Sequence, residues 1–163
     1  MAETVHLFLK SNGSDVKGDS TQESLGRKDS IECISYEQGV FNTTDDATKM
    51  ATGRRQYTPI TICKRIDKAS PLLIKALVNN EKIEGAFKFF RPSPTGDGTA
   101  EQFYTVTIKD GHVSAIVQES PDTLSASSAA EPPYEHIAFV FKTINWMITK
   151  GGVSHEDTWG QNA

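Results

Sequence analysis

Ser70-Pro71-Leu72-Leu73-Ile74-Lys75-Ala76-Leu77-Val78-Asn79 is the one stretch of this sequence that reads as a helix, and it decides the fold class by standing alone. Ser70 suits the N-cap, where a hydroxyl accepts from a backbone N–H that lacks an intrahelical partner. Pro71 suits the first helical position, where its missing N–H costs nothing. Leu73, Ala76 and Leu77 recur at helical spacing and are expected to form the packed face. Asn79-Asn80 supplies the stop.

On both sides of this helix the pattern is that of strands. Upstream, Pro59–Ile66 carries Ile60, Ile62 and Ile66. Thr4–Lys10 places Val5, Leu7 and Leu9 on one face and His6, Phe8 and Lys10 on the other. Ile31–Tyr36 is a second short strand. The polar segment Ser11–Ser30 reads as a long connection. Glu37–Thr58 holds few large apolar residues, only Val40, Phe41, Met50 and Tyr57. Loops of that length usually serve a function or stay disordered.

Downstream, Gly85–Arg91, Glu101–Lys109 and His112–Gln118 each have a strand's length and pattern. Gly96-Asp97-Gly98 marks a turn, and Asp110-Gly111 is a hairpin signal. Ser120–Pro133, rich in Ser, Ala and Pro, reads as a mobile loop. His136–Thr149 reads as one strand, with Ile137, Phe139 and Phe141 on one face. Val140, Ile144, Trp146 and Ile148 lie on the other, which suggests a central strand or one covered by a neighbouring subunit. The sum, roughly seven strands and one helix, predicts a mainly β barrel or sandwich. No internal repeat is visible.

Composition narrows the function. A chain of 163 residues fits one domain, and 37% apolar content supports a packed core. The N-terminus has neither the basic start nor the apolar stretch of a secretory signal. No run is long enough to span a membrane, so synthesis and folding in the cytosol are expected. Net charge is −4, and the densest basic site is Arg54-Arg55. Nucleic-acid binding needs clustered Lys and Arg and is not expected. Cys33 and Cys63 lie in strand-like contexts and read as small buried hydrophobes.

Motifs that carry chemistry are scarce in the chain. The four histidines, His6, His112, His136 and His155, occur singly, without metal-ligand spacing. His6 and His136 read as solvent-face or subunit-contact residues. His155, beside Glu156 and Asp157, reads as part of a solvated turn. No serine sits in a nucleophile elbow. Neither Gly96-Asp97-Gly98 nor Gly151-Gly152 has the context of a phosphate loop. Asp45-Asp46 lacks calcium-loop spacing. No catalytic residue, metal or cofactor is expected.

Three stretches in register resemble the haemolysin-coregulated protein (Hcp) family, the tube subunit of bacterial type VI secretion systems. They are Thr52-Gly53-Arg54-Arg55-Gln56-Tyr57-Thr58-Pro59, then Lys64-Arg65-Ile66-Asp67-Lys68-Ala69-Ser70-Pro71-Leu72-Leu73, then Ile144-x-Trp146 with Gly151-Gly152 and His155-x-Asp157-x-Trp159. With Val5–Lys10 they span nearly the whole of residues 1–163, as a single domain. The second block is the most specific. Tyr57 stands where the family usually has His, so no pH dependence is carried over at that position.

The resemblance implies a small β-barrel of two packed antiparallel sheets with one flanking α-helix, closing into a hexameric ring with a wide hole. Rings of this family stack into a tube that a contractile sheath drives out of the cell, and the hole can carry effector proteins. A ring requires a heterologous contact between two different surfaces of one subunit. The implied partners are copies of itself, sheath subunits, the spike protein at the tube tip and effectors in the lumen, with neither nucleic acid nor membrane. Secretion without a signal peptide is implied too. Glu37–Thr58 is expected to project and touch the next ring, through Glu37, Asp45, Asp46, Lys49, Arg54, Arg55 and Tyr57. Asp67, Ser70 and Pro71 are expected to start the helix, with Asp67 adding negative charge beside its N-terminus. Phe139, Phe141, Trp146 and Trp159 are expected in the core or at a subunit contact, Trp146 as a core anchor. Some members of this family carry a toxin domain after the tube domain. None is expected here, because the sequence ends at Ala163. Two other readings share these features: a monomeric small-ligand-binding β-barrel, and a phage-like tail tube protein.

Overall fold

The computed structural model describes residues 3–159. Strand β1 (Thr4–Ser11) is central because both of its edges are paired. Along one edge runs β8 (Ile83–Pro92), in register from Thr4 opposite Phe90 to Ser11 opposite Ile83. The other edge is shared end to end. There β3 (Ile31–Cys33) lies opposite Val5–Leu7, and β2 (Ser14–Val16) lies opposite Leu9–Ser11. A tight turn at Asn12-Gly13, with φ of 49° and 84°, connects β1 to β2. The predicted connection Ser11–Ser30 therefore begins as a hairpin.

The sequence reading of Asp110-Gly111 as a hairpin turn is corrected by the structure. The chain continues as one strand, β9 (Ala100–Glu119). Its first half pairs with β8 and with β11 (Thr143–Ile148), and its second half pairs with β10 (Tyr134–Val140). Asp110 has a φ of 52°, and a Cβ on Gly111 would lie 2.5 Å from the Val140 carbonyl oxygen. The dipeptide thus supplies a bend and a close backbone approach, the other use of glycine within a strand. Gly111→Ala is expected to cost about 1–3 kcal/mol, read as a lower midpoint of urea unfolding.

Two further segments change sheets. β3 passes into β4 (Ser35–Glu37) across Ile34, so Ile31–Tyr36 is two strands. β10 passes into β11 across Phe141-Lys142, so the predicted strand His136–Thr149 is two as well. The second break explains the apolar residues on both apparent faces. Ile137 and Phe139 point into the core before it, and Ile144 after it, so the parity reverses where the chain turns. One sheet holds β2 and β3, β1, β8, β9, β11 and β12 (Ser154–Thr158). The other holds β9, β10, β7 (Ile60–Arg65) and β4. Strands that cross at the corners join the two sheets into a small barrel. The described residues contain twelve strands, the extra ones arising from these breaks and from short hairpin strands.

The interior is filled by side chains from both sheets. Leu7, Ile83, Phe87 and Ile108 meet Ile60, Ile62, Ile137 and Phe139, all fully buried. The rings of Phe87 and Phe139 contact edge-on, 5.9 Å apart. Helix α1 (Ser70–Val78) packs against β9 and buries Leu73 and Ala76 as its spacing predicts. A fully buried leucine contributes about 1.5–3 kcal/mol.

His6 is buried as well, contrary to the expectation of a solvent or subunit face. The reason lies in the segment before β3, which covers that face of β1. Ser30 Oγ donates to the Arg27 carbonyl at 2.7 Å, so His6 Nδ1 donates to Ser30 Oγ at 2.9 Å. The Arg27 guanidinium lies 4.7 Å from the centre of the Phe90 ring. Burial lowers the His6 pKa to about 4, so the ring is neutral at physiological pH. His136, by contrast, is exposed.

Candidate assembly surface

The alternation of β7 runs Ile60, Ile62, Lys64 on the inward face, which puts a lysine where an apolar residue is expected. Its side chain is fully buried and meets the equally buried Glu135 of β10 at 2.6 Å, because the two residues are register partners. Lys64 Nζ also lies 2.7 Å from Asp67 Oδ1 and 3.1 Å from Ser70 Oγ. Ser70 Oγ donates to Glu135 Oε1 at 2.8 Å, and Gln118 donates to Glu135 Oε2 at 2.9 Å. Burial alone would raise the Glu135 pKa. The hydrogen bonds from Lys64, Gln118 and Ser70 outweigh it and hold the carboxyl below its ordinary value.

This cluster changes the role of Ser70. The N-cap of α1 is Ala69, without a side-chain cap, and Ser70 is the first helical residue. Its hydroxyl instead ties the helix to β10 and accepts from the Asp67 backbone N–H at 3.0 Å. Asp67 accepts from the Ala69 N–H at 2.9 Å, holding the turn that leads into the helix. Pro71 sits in the first turn as expected. Sequence reasoning missed Lys64 and Glu135, although both fall at inward positions of their strands.

Glu37–Thr58 has its own structure. β5 (Val40–Phe41) and β6 (Gln56–Tyr57) pair through two residues each, and an isolated bridge joins Thr44 to Ala51. Beyond that ladder, Asp45 Oδ1 accepts from the backbone N–H groups of Ala47 and Thr48, which lowers its pKa. Asp45, Asp46, Lys49 and Arg54 are exposed on this arm, and Glu37 lies at its base on β4. Val40, Phe41 and Met50 are each half or more exposed, so their apolar surface goes uncovered within the chain.

Arg55 and Tyr57 do not project with the others. Both turn back to Asp157, on the strand β12 that replaces the expected turn at His155-Glu156-Asp157. The Arg55 guanidinium grips the carboxylate through Nε and, at 2.8 Å, through Nη2, which also reaches the Thr158 carbonyl at 3.1 Å. The Tyr57 hydroxyl donates to the same carboxylate. Hydrogen bonding from Arg55, above all, holds the Asp157 pKa below its ordinary value.

Trp146 is not the core anchor expected of it. It is half-buried beside the core, stacked 5.9 Å from the His155 ring and 6.2 Å from the Tyr57 ring. Its indole N–H donates to Gln38 Oε1 at 3.3 Å. Phe139 is core. Phe141 and the half-exposed Trp159 line a surface groove of about 390 Å³ with Tyr57, Pro59 and Val140.

Within the described chain the outer edges of β12 and β4 are unpaired, as are those of β2 and β3 and of the second half of β9. Unpaired edges of this kind are templates for pairing with another chain. Exposed Met147, Ile148 and Val153 flank the β11–β12 turn. Among the described residues, no group of three His, Cys, Asp or Glu is placed to hold a metal ion. Cys33 is buried and Cys63 half-buried, both as free thiols, and burial pushes Cys33 up to about 12. Among the described residues, no helix is long and apolar enough to cross a membrane.

Comparison with known proteins gives one consistent result. The family described as "Type VI secretion system effector, Hcp" matches residues 8–148. The "Major exported protein" of Pseudomonas aeruginosa is 29% identical over 146 residues, covering 89% of this chain and 83% of that protein. The solved structure of a mutant Hcp1 protein from E. coli EAEC 042 superimposes with a TM-score of 0.83 at 26% identity, covering 97% of this chain and 99% of that one. The secreted protein Hcp3 of Pseudomonas aeruginosa shares the fold, with a TM-score of 0.72 at 20% identity over 97% and 99% of the two chains.

Proposed function

Because this chain belongs to the Hcp family of the type VI secretion system, we propose that it is a tube subunit that closes into hexameric rings, which stack axially. The observation that carries the reading is the arm Val40–Tyr57, whose Val40, Phe41 and Met50 stay half or more exposed in their own chain. A solitary two-stranded ladder bearing exposed apolar residues suits a surface that a second copy covers. The open edges of β12 and β4 are different surfaces of one subunit, as a heterologous, ring-closing contact requires.

In this reading Asp45, Asp46, Lys49 and Arg54 set the register between rings by polar contacts, which give orientation more than affinity. The outer surface of the tube meets sheath subunits, its end meets the spike protein, and its lumen carries effector proteins. The chain does this by assembly, with no catalytic step. Export is supported by the name of its Pseudomonas aeruginosa relative. Negative-stain images of purified protein test the proposal. Round particles with a central hole, stacking as concentration rises, are expected; featureless particles of monomer size overturn it.

A further inference from the structure

The arm cannot hold its own direction. Its ladder amounts to Val40 opposite Tyr57 and Phe41 opposite Gln56, with one bridge beyond. Every residue from Phe41 to Arg54 is exposed, so none of them is locked into the barrel core. An isolated two-stranded hairpin is marginal in water. Among the described residues, the side-chain hydrogen bonds that reach the arm from the barrel come from about a hundred residues away and meet its base. Asp157 receives Arg55 and Tyr57 from the returning strand of the arm. Trp146 donates its indole N–H to Gln38, just before the outgoing strand, at 3.3 Å, and stacks against both Tyr57 and His155.

We propose that Asp157 is the positioning residue of the arm, a latch that fixes the arm's direction from the outermost strand of the sheet. The geometry is that of a strong contact. A guanidinium that grips one carboxylate through two nitrogens is directional as well as charge-assisted. Both partners are mostly shielded from solvent, with side chains 22% and 17% exposed. Among the described residues β12 pairs only with β11, which leaves its outer edge open. The strand that would meet a neighbouring copy along that edge is therefore the strand that aims the arm. Ring closure and ring stacking are coupled through one carboxylate. The latch stands on the geometry of the single chain, and only its effect on stacking rests on the tube reading.

The test compares the full chain with Asp157→Asn and Tyr57→Phe by hydrogen exchange, read by mass spectrometry on peptides spanning 37–58 and 60–65. In Asp157→Asn the arm is expected to exchange roughly tenfold faster or more, the loss of a charge-assisted hydrogen bond. The β7 peptide should keep its protection, which separates a freed arm from a damaged fold. Tyr57→Phe should give a smaller increase. The natural chain should also lose arm protection as pH falls through the lowered carboxyl pKa of Asp157, and Asp157→Asn should lack that step. Unchanged arm exchange in Asp157→Asn overturns the latch. Faster arm exchange with undiminished stacking leaves the latch standing and contradicts the arm's assignment to the ring-to-ring contact.

Discussion

Lys64→Ala is expected to lower stability by about 3–5 kcal/mol, the cost of leaving a buried charge without its partner. Glu135 is fully buried, and its nearest cation is Lys64 at 2.6 Å. Removing the ammonium also leaves Asp67 and Ser70 without a shared donor at the start of α1. The loss is a large fraction of the roughly 5–15 kcal/mol that holds a typical domain together, so a much lower urea midpoint is the expected result. The paired replacement Lys64→Met with Glu135→Leu should recover much of it, since an apolar pair removes both charges together. Urea unfolding followed by circular dichroism measures each. A cost below about 1 kcal/mol for Lys64→Ala contradicts the buried pair as the anchor of the helix.

The same pair gives a pH dependence with a definite sign. The folded-state pKa of Glu135 is depressed, so the unfolded chain takes up protons first as pH falls. Its contribution is present above the unfolded carboxylate value, near about 4.3. It is lost as pH drops through the lower folded value.

Deleting Val40–Met50 should leave rings intact and abolish secretion. The deleted residues are all exposed and contribute nothing to the core, so stability of the barrel should change little. Their removal takes away Val40, Phe41 and Met50 together with Asp45, Asp46 and Lys49, which carry the proposed contact with the next ring. Secretion of the shortened chain at the natural level would contradict the role assigned to the arm.

Much of this architecture is legible in the residues. The lone helix and its packed face, Leu73 and Ala76, follow from spacing, and the first strand from the alternation of Val5, Leu7 and Leu9. Less legible is which sheet a strand joins. Alternation records inward against outward, and a chain that crosses a barrel corner shifts that parity as it changes neighbours without showing which sheet it enters. Asp110-Gly111 and the parity change between Phe139 and Ile144 are marks of such crossings, and in sequence they resemble a turn and a two-faced strand. The latch was hidden for a related reason. Asp157 looks like a solvated charge until Arg55 and Tyr57 are brought to it across the fold. His6 likewise looks outward-facing until the segment carrying Arg27 and Ser30 is laid over it.

The measurement that bears most directly on self-assembly is the solution mass by multi-angle light scattering, taken over a range of concentrations. The mass of a hexamer, holding steady on dilution and rising in hexamer steps when concentrated, is the predicted result. A mass that stays at one chain throughout would contradict the account and leave the exposed arm and the open edges of β12 and β4 to some other partner.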